Sequence, residues 1–170
     1  MKTPSFVFLL PLLFTACFQT EKRQPSTSSP DLYDQIKSSA IGYDSAFAAR
    51  LGADNYGMKQ YVMALLKKGP HRDQDSVTAA NLQRAHLENI TRMANEGKLV
   101  LAGPFMDDWE VRGIYVFDVK TVEEARALTE TDPAIKAGRL AMDLHPWYGP
   151  AVMPLIVPLH KRLEKKDVAE

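Results

Sequence analysis

The chain has 170 residues, of which 45% are hydrophobic and 25% are charged, so its size suits one folded domain with short appendages. Lys and Arg together number 21, Asp and Glu also number 21, and the formal net charge is zero. A chain without net charge has no overall field that attracts polyanions, so we exclude nucleic acid as a partner.

The first residues have the pattern of an export signal. Lys2 supplies a positive charge, and the apolar run over residues 6–14 is shorter than the ~20 residues that a membrane-spanning helix needs. The run ends in FTAC, which resembles the lipobox of bacterial lipoproteins, although Phe14 stands where an aliphatic residue is usual. This resemblance predicts a signal peptide over residues 1–17 and lipidation of Cys17. The alternative is an ordinary secretory signal that is removed together with this cysteine.

Two segments separate the signal from the main domain. Residues 18–30 are rich in Ser, Thr and Pro, cannot bury enough apolar surface to fold, and are predicted to be a flexible tether. Residues 31–57 are predicted to be a helical extension, because apolar residues recur every three to four positions and are interrupted at Gly42. The lipoprotein pattern predicts attachment in the cell envelope. Phe18 favours the outer membrane, because a signal for the inner membrane usually has Asp at that position.

Residues 58–150 are predicted to form an α+β domain. Apolar runs predict strands, and apolar residues at helical spacing predict helices. Thr121 and Glu124 are predicted to cap the second helix. The predicted elements are a strand at Tyr61–Leu66, a helix over 75–96, strands at Leu99–Gly103 and Val111–Val119, a helix from Thr121 to about Glu130, a short helical turn over 134–137 and a strand at Leu140–Trp147. This order is typical of a ferredoxin-like βαββαβ fold with a four-stranded antiparallel sheet and helices on one face.

The last part of the chain, residues 151–170, is predicted to be a proline-rich arm and a charged tail. Pro150, Pro154 and Pro158 stand among apolar residues and predict an extended arm rather than a helix. The residues from Lys161 onward are mostly charged and are predicted to be solvated.

Five segments of the domain, taken in order, resemble the YciI-like family of YCII-related domains. They lie between Met58 and Pro150 and read YVMALLKKGP, LQRAHLENI, LVLAGPF, TDPAIKAGRL and HPWYGP. Members of this family are similar to muconolactone isomerases and other ferredoxin-like proteins that pair sheet to sheet. The resemblance therefore implies a homodimeric α/β barrel, in which a second copy covers the sheet face that the helices leave open.

The resemblance also implies two site residues. Family members have a histidine on the first helix and an aspartate before the last strand, and these positions correspond to His86 and Asp132. Some relatives with this pair catalyse eliminations or isomerisations on oxygenated rings. The resemblance thus implies a lyase or isomerase that needs no cofactor and acts on a small organic molecule.

The residues themselves leave the role of this pair open. His86 lies between Leu82 and Ile90 on the apolar face of its helix, a position that more often holds a structural histidine than a catalyst. Asp132 is either a turn or helix-cap residue or a partner that fixes the imidazole tautomer and stabilises its charged form. In the second case the two residues form a proton-transfer group, which contributes ~10²–10⁴-fold to a rate.

Five further residues are candidate ligand contacts. Gly103 and Pro104 either let a ligand approach the backbone closely or simply end a strand. Arg112 and Lys136 either pair with an anionic substrate or lie on the solvated surface. His145 shares a face of the last strand with the neighbouring tryptophan, and this face is expected to look into the barrel.

The sequence contains no motif for a metal or a nucleotide. It has no Cys/His cluster, HExxH, EF-hand loop, GxGxxG, P-loop or GxSxG, so we predict no metal site and no cofactor. Besides the enzyme, a non-catalytic lipoprotein that captures a small ligand remains an alternative. Haem ligation by His86 or His145 is a third hypothesis.

Overall fold

The computed structural model describes residues 31–39 and 42–168. The predicted signal peptide with Cys17 and the predicted tether, residues 18–30, lie outside the described residues. Within the described ranges, no helix combines the length and the apolar character that crossing a membrane requires.

The described residues fall into two units, one that ends at Gly42 and one that begins at Tyr43. The first unit contains the helix α1, Leu32–Ser38, which begins after the capping residue Asp31. The second unit begins with the helix α2, Ser45–Leu51. Both helices fall within the predicted helical extension, and neither contains a buried residue.

The rest of the second unit has the predicted order of strands and helices. Its elements are β1 at Met58–Lys68, α3 at Ser76–Asn95, β2 at Leu99–Pro104, β3 at Val111–Phe117, α4 at Val122–Thr129, α5 at Pro133–Lys136 and β4 at Leu140–Pro150. The strands form a four-stranded sheet in the order β2-β3-β1-β4, and each neighbouring pair is antiparallel. The chain therefore has the ferredoxin-like α+β fold that its sequence predicts.

One face of the sheet packs against the helices. Val62, Ala64 and Leu66 alternate along β1 and contribute to a core that also contains Phe117 of β3 and Met93 of α3. Because side chains alternate across a strand, these β1 residues point to the same face. The methionine, with no exposed surface, anchors α3 on the sheet. Residues three to four positions apart lie on the same face of a helix. The residues of α3 that precede the methionine at this spacing therefore also face the sheet.

The C-terminal segment partly covers the opposite face. Met153 and Ile156 pack there against a cluster that includes Tyr61 and Val116, and the rings of Tyr61 and Trp147 lie 5.8 Å apart. On the same face, Leu65 remains half-buried. The second copy expected on this face stays a prediction.

The prediction of an extended proline-rich arm is wrong. The segment forms a 3-10 turn at Met153–Leu155 and a short helix α6 at Ile156–His160. Pro154 and Pro158 both lie in the first turn of their element. A proline is tolerated there because the backbone N–H groups of a first turn have no intrahelical partner, and its fixed φ suits the helix.

We expect Tyr61 to make the fold sensitive to alkaline pH. Its hydroxyl donates to the Pro150 carbonyl at 2.9 Å, and burial, with the charge of Asp118, raises its pKa from 10.0 to about 12. The unfolded chain releases this proton first, so stability is complete below pH 10 and falls as pH rises towards 12. The loss should be about 1 kcal/mol per pH unit.

Urea denaturation of the natural protein and of Tyr61→Phe across this pH range measures the effect. The phenylalanine variant lacks the titrating group, so the difference in unfolding free energy between the two proteins should shrink above pH 10. A difference that stays constant with pH would contradict the assignment.

Candidate active site

Helix α3 carries the first residue of the site. Asp75 caps this 20-residue helix by accepting hydrogen bonds from the N–H groups of Val77 at 2.9 Å and Thr78 at 3.0 Å. The helix buries one face, on which His86 is 6% exposed and lies two turns before Met93. The imidazole therefore faces inward, as the apolar spacing of α3 predicts.

The second residue, Asp132, has no exposed surface and makes two hydrogen bonds through different oxygens. Its Oδ1 accepts from the N–H of Ala134 at 2.8 Å and so caps α5. Its Oδ2 lies 2.6 Å from Nδ1 of His86. The two roles that the sequence offered as alternatives, helix cap and histidine partner, are thus both present.

Sequence reasoning missed a third residue, Tyr115 of β3. Its hydroxyl lies 3.3 Å from Nε2 of His86, and the two rings are nearly parallel with centroids 6.2 Å apart. Burial, with the negative charge of Asp132, raises the pKa of this hydroxyl. Among the residues of β3 that face the helices, Tyr115 carries the hydrogen-bonding side chain, and this was the available sequence signal.

These contacts determine where the protons lie. An ionised carboxylate only accepts hydrogen bonds. Nδ1 of His86 therefore carries a hydrogen and donates a hydrogen bond to Oδ2 of Asp132. In the neutral imidazole Nε2 is then an acceptor, which suits donation from the Tyr115 hydroxyl. A carboxylate, an imidazole and a phenol thus form one hydrogen-bonded chain, and its members come from α3, β3 and the start of α5.

A second set of polar contacts holds Asp132 in place. Asn89 lies one turn after His86 on α3, and Thr131 directly precedes Asp132. Nη2 of Arg92 donates to Oδ1 of Asn89 at 2.8 Å and to Oγ1 of Thr131 at 2.9 Å. The loop that carries the aspartate is therefore tied to the helix that carries the histidine.

A cavity of about 380 Å³ adjoins this chain of residues. His86 and Tyr115 line it, so the buried pair is reached from a space that can hold a small ligand. Gly113 also lines it, and a Cβ there would lie 2.5 Å from the Gly103 carbonyl oxygen. The close approach of β2 and β3 at this end of the cavity thus requires a glycine.

The cavity brings together three of the five predicted ligand contacts. Gly103, Pro104 and Arg112 line it, whereas Lys136 and His145 do not. The register of β4 explains the second exclusion, because His145 pairs with Met63 on the face away from the helices. Sequence reasoning missed several lining residues, since their places depend on contacts between distant segments: Arg72, Gln83, Leu87, Arg139 and Val168.

Residues 31–39 and 42–168 contain no group of three His, Cys, Asp or Glu side chains placed to hold a metal ion.

Comparisons with known proteins give a family and a structural neighbour. Residues 61–147, about half of the chain, match the model of the YCII-related domain. This chain is also similar to a solved structure of 5-chloro-2-hydroxyhydroquinone dehydrochlorinase from Burkholderia phenoliruptrix in complex with 2,5-dihydroxybenzoquinone. The two sequences are 18% identical, the match covers 51% of this chain and 92% of that chain, and the TM-score is 0.39. Likeness at this level does not extend to a substrate or a reaction. No curated protein matches significantly.

The two bonds of Asp132 predict an unusually large loss of stability on truncation. Asp132→Ala leaves the Nδ1 proton of His86 and the N–H of Ala134 without acceptors in a buried place, which should cost about 2–4 kcal/mol. Asp75 caps α3 at an exposed site, so the matched variant Asp75→Ala should cost about 1 kcal/mol.

Urea unfolding of both variants measures the two losses. Equal losses would mean that the buried contact with His86 adds nothing beyond a helix cap. Asp132→Asn should fall between the two, because an amide oxygen still caps α5 while its NH₂ group cannot accept from Nδ1.

Proposed function

The chain belongs to the YCII-related domain family, as its five segments predict, and on that premise we propose that it is a lyase or isomerase that works without a cofactor. In this proposal His86 and Asp132 transfer a proton on a small organic molecule. The observation that carries it is the 2.6 Å contact between Nδ1 of His86 and Oδ2 of the buried Asp132, since His86 itself lines a cavity that can hold such a molecule.

His86 is the base in the proposed reaction. Asp132 holds the proton on Nδ1, so Nε2 keeps its lone pair. When a substrate enters and takes the hydrogen bond of the Tyr115 hydroxyl, that lone pair removes a proton from an acidic C–H or O–H group of the substrate. The imidazolium that results is stabilised by the carboxylate 2.6 Å away. Because Asp132 is buried and also bound to the N–H of Ala134, the ring keeps one orientation throughout.

The proton and electron pair then have two routes. In an isomerisation, Nε2 returns the proton to a different atom of the substrate, and the double bond moves. In an elimination, the electron pair of the broken C–H bond forms a double bond while the leaving group departs with the pair of its own bond to carbon, and the imidazolium then gives the proton to the leaving group or to water. Both routes balance without an oxidant or a reductant, so this chemistry needs no redox cofactor.

Tyr115 supplies a hydrogen-bond donor in the proposed site. Its raised pKa keeps the hydroxyl protonated at neutral pH, and the group lies beside Nε2. When a substrate oxygen gains negative charge as the proton leaves carbon, the phenol is placed to donate to it. A preorganised donor of this kind stabilises the charge that develops in the transition state.

The experiment follows proton transfer directly. A panel of small hydroxylated and oxo acids is incubated with the protein in deuterium oxide, and exchange or loss of C–H signals is followed by NMR. We expect catalysed exchange or elimination with at least one member, and His86→Gln and Asp132→Asn should lower its rate by ~10²–10⁴-fold. His160 is exposed on α6, so His160→Gln serves as the matched histidine control. Full rates in both site variants would overturn the proposal.

We also propose that the mature protein is anchored in the cell envelope through lipid on Cys17, with the domain on the periplasmic face. The lipobox-like FTAC sequence and the polar segment that follows it support this proposal. We expect a cell that expresses the full chain to incorporate a labelled fatty acid into it and to retain it in the membrane fraction. Cys17→Ser should remove both. An unlabelled natural protein would instead favour an ordinary secretory signal.

A further inference from the structure

The cavity wall contains two arginines that have no carboxylate partner among residues 31–39 and 42–168. Arg72 follows β1, Arg139 directly precedes β4, and both line the cavity beside His86. Nη1 of Arg72 donates to the carbonyl oxygen of Arg139 at 3.1 Å, and Nη1 of Arg139 donates to Oε1 of Gln74 at 3.0 Å. Both acceptors are neutral. Over the part of the chain that the structure describes, neither guanidinium forms a salt bridge.

The third arginine of the cavity differs in this respect. Nη1 of Arg112 lies 2.8 Å from Oδ1 of Asp108 and also donates to the carbonyl oxygen of Asp107 at 3.1 Å. Its charge is therefore compensated by Asp108, and its side chain is bound to the loop between β2 and β3. The role that the sequence suggested for Arg112 and Lys136, pairing with an anionic substrate, is therefore better suited to Arg72 and Arg139.

The backbone holds these two arginines side by side. The N–H of Gly69 donates to the carbonyl oxygen of Arg139 at 3.0 Å, and the N–H of His71 donates to that of Gly138 at 2.9 Å. A Cβ at Gly69 would lie 2.2 Å from the carbonyl oxygen of Gly138, so this close approach requires a glycine. Because the backbone already holds the two arginines close together, binding a ligand between them loses less conformational entropy.

The rest of the cavity is largely apolar. Its walls include Leu66, Leu87, Ile90 and Leu140, and its volume of about 380 Å³ lies near the small end of the range for ligand pockets, ~300–1,000 Å³. An apolar space with cations and an imidazole on its wall suits a compact molecule that has an apolar body and one anionic group. A carboxylate matches the planar donor geometry of guanidinium groups particularly well.

We propose that the substrates of this site are small organic carboxylates with an apolar or aromatic body. The carboxylate binds Arg72 and Arg139, and the reacting carbon lies at His86. This assignment rests on the proposed proton-transfer function and names its substrate class. It also has a chemical consequence. Removing a C–H proton from a substrate that already bears a carboxylate gives a dianion, and nearby guanidinium groups stabilise the added charge.

Two probes of the same shape test the assignment. Benzoate and benzamide differ in charge but hardly in size, and their binding to the full chain is measured by isothermal titration calorimetry. We expect benzoate to bind about tenfold or more tightly than benzamide, as a charge-assisted hydrogen bond predicts. Arg72→Gln and Arg139→Gln should each remove most of this preference, because they weaken the binding of the charged probe far more than that of benzamide.

A matched control separates the cavity arginines from general charge effects. Arg84 lies exposed on α3 and does not line the cavity, so Arg84→Gln should keep the full preference for benzoate. Because Arg72 is itself exposed, its replacement should leave the fold intact, and circular dichroism verifies this for each variant. Equal binding of the two probes, no binding of benzoate, or an equal loss in Arg84→Gln would overturn the substrate class.

The two proposals fail in different ways. If the two arginine variants keep the full preference for benzoate while His86→Gln abolishes turnover, the substrate class falls and proton transfer by the pair stands. If the arginines select benzoate but His86→Gln leaves every turnover rate unchanged, the site binds carboxylates and the catalytic proposal falls.

Discussion

The buried hydrogen bond between His86 and Asp132 is the interaction on which the rest of this site depends. Placing a carboxylate where it has no exposed surface is unfavourable unless both of its oxygens find donors. One oxygen caps α5 and the other accepts from the imidazole, so the position of a short helix, the loop before it and the inner face of α3 are set together. The same bond leaves Nε2 as an acceptor towards the cavity and towards Tyr115.

Local patterns predicted much of this arrangement. The helical spacing around His86 predicted that its side chain points inward, because His86 lies on the same face of α3 as the buried Met93. The loop before Pro133 is typical of a turn or helix-cap residue at Asp132, and the family resemblance implies instead that this residue pairs with the histidine. Sequence alone could not choose between these roles, since the choice depends on the distance between α3 and α5. The prediction of an extended arm after β4 was wrong because a proline excludes a helix only beyond its first turn, and the sequence does not show where the helix begins.

Residues that meet through long-range contacts escaped sequence analysis. Tyr115 was read as part of a strand, and the alternation of a strand does not say which face the helices cover. Arg72 and Arg139 are far apart in the chain, and they become neighbours because the segments after β1 and before β4 run together. The same lack of long-range information explains Lys136 and His145, which were selected by residue type and lie outside the cavity.

The hydrogen bonds of Arg92 have a mechanical consequence. They join α3 to the loop before α5, so the histidine and the aspartate are carried by parts of the chain that are fastened to each other. Tyr115 belongs instead to the sheet. A small shift of α3 relative to the sheet would therefore change the distance between the phenol and Nε2 while the distance between Nδ1 and the carboxylate stayed the same. During such a shift the hydrogen bond between the imidazole and the carboxylate would keep its geometry, and the distance to the phenol would be the one that changes.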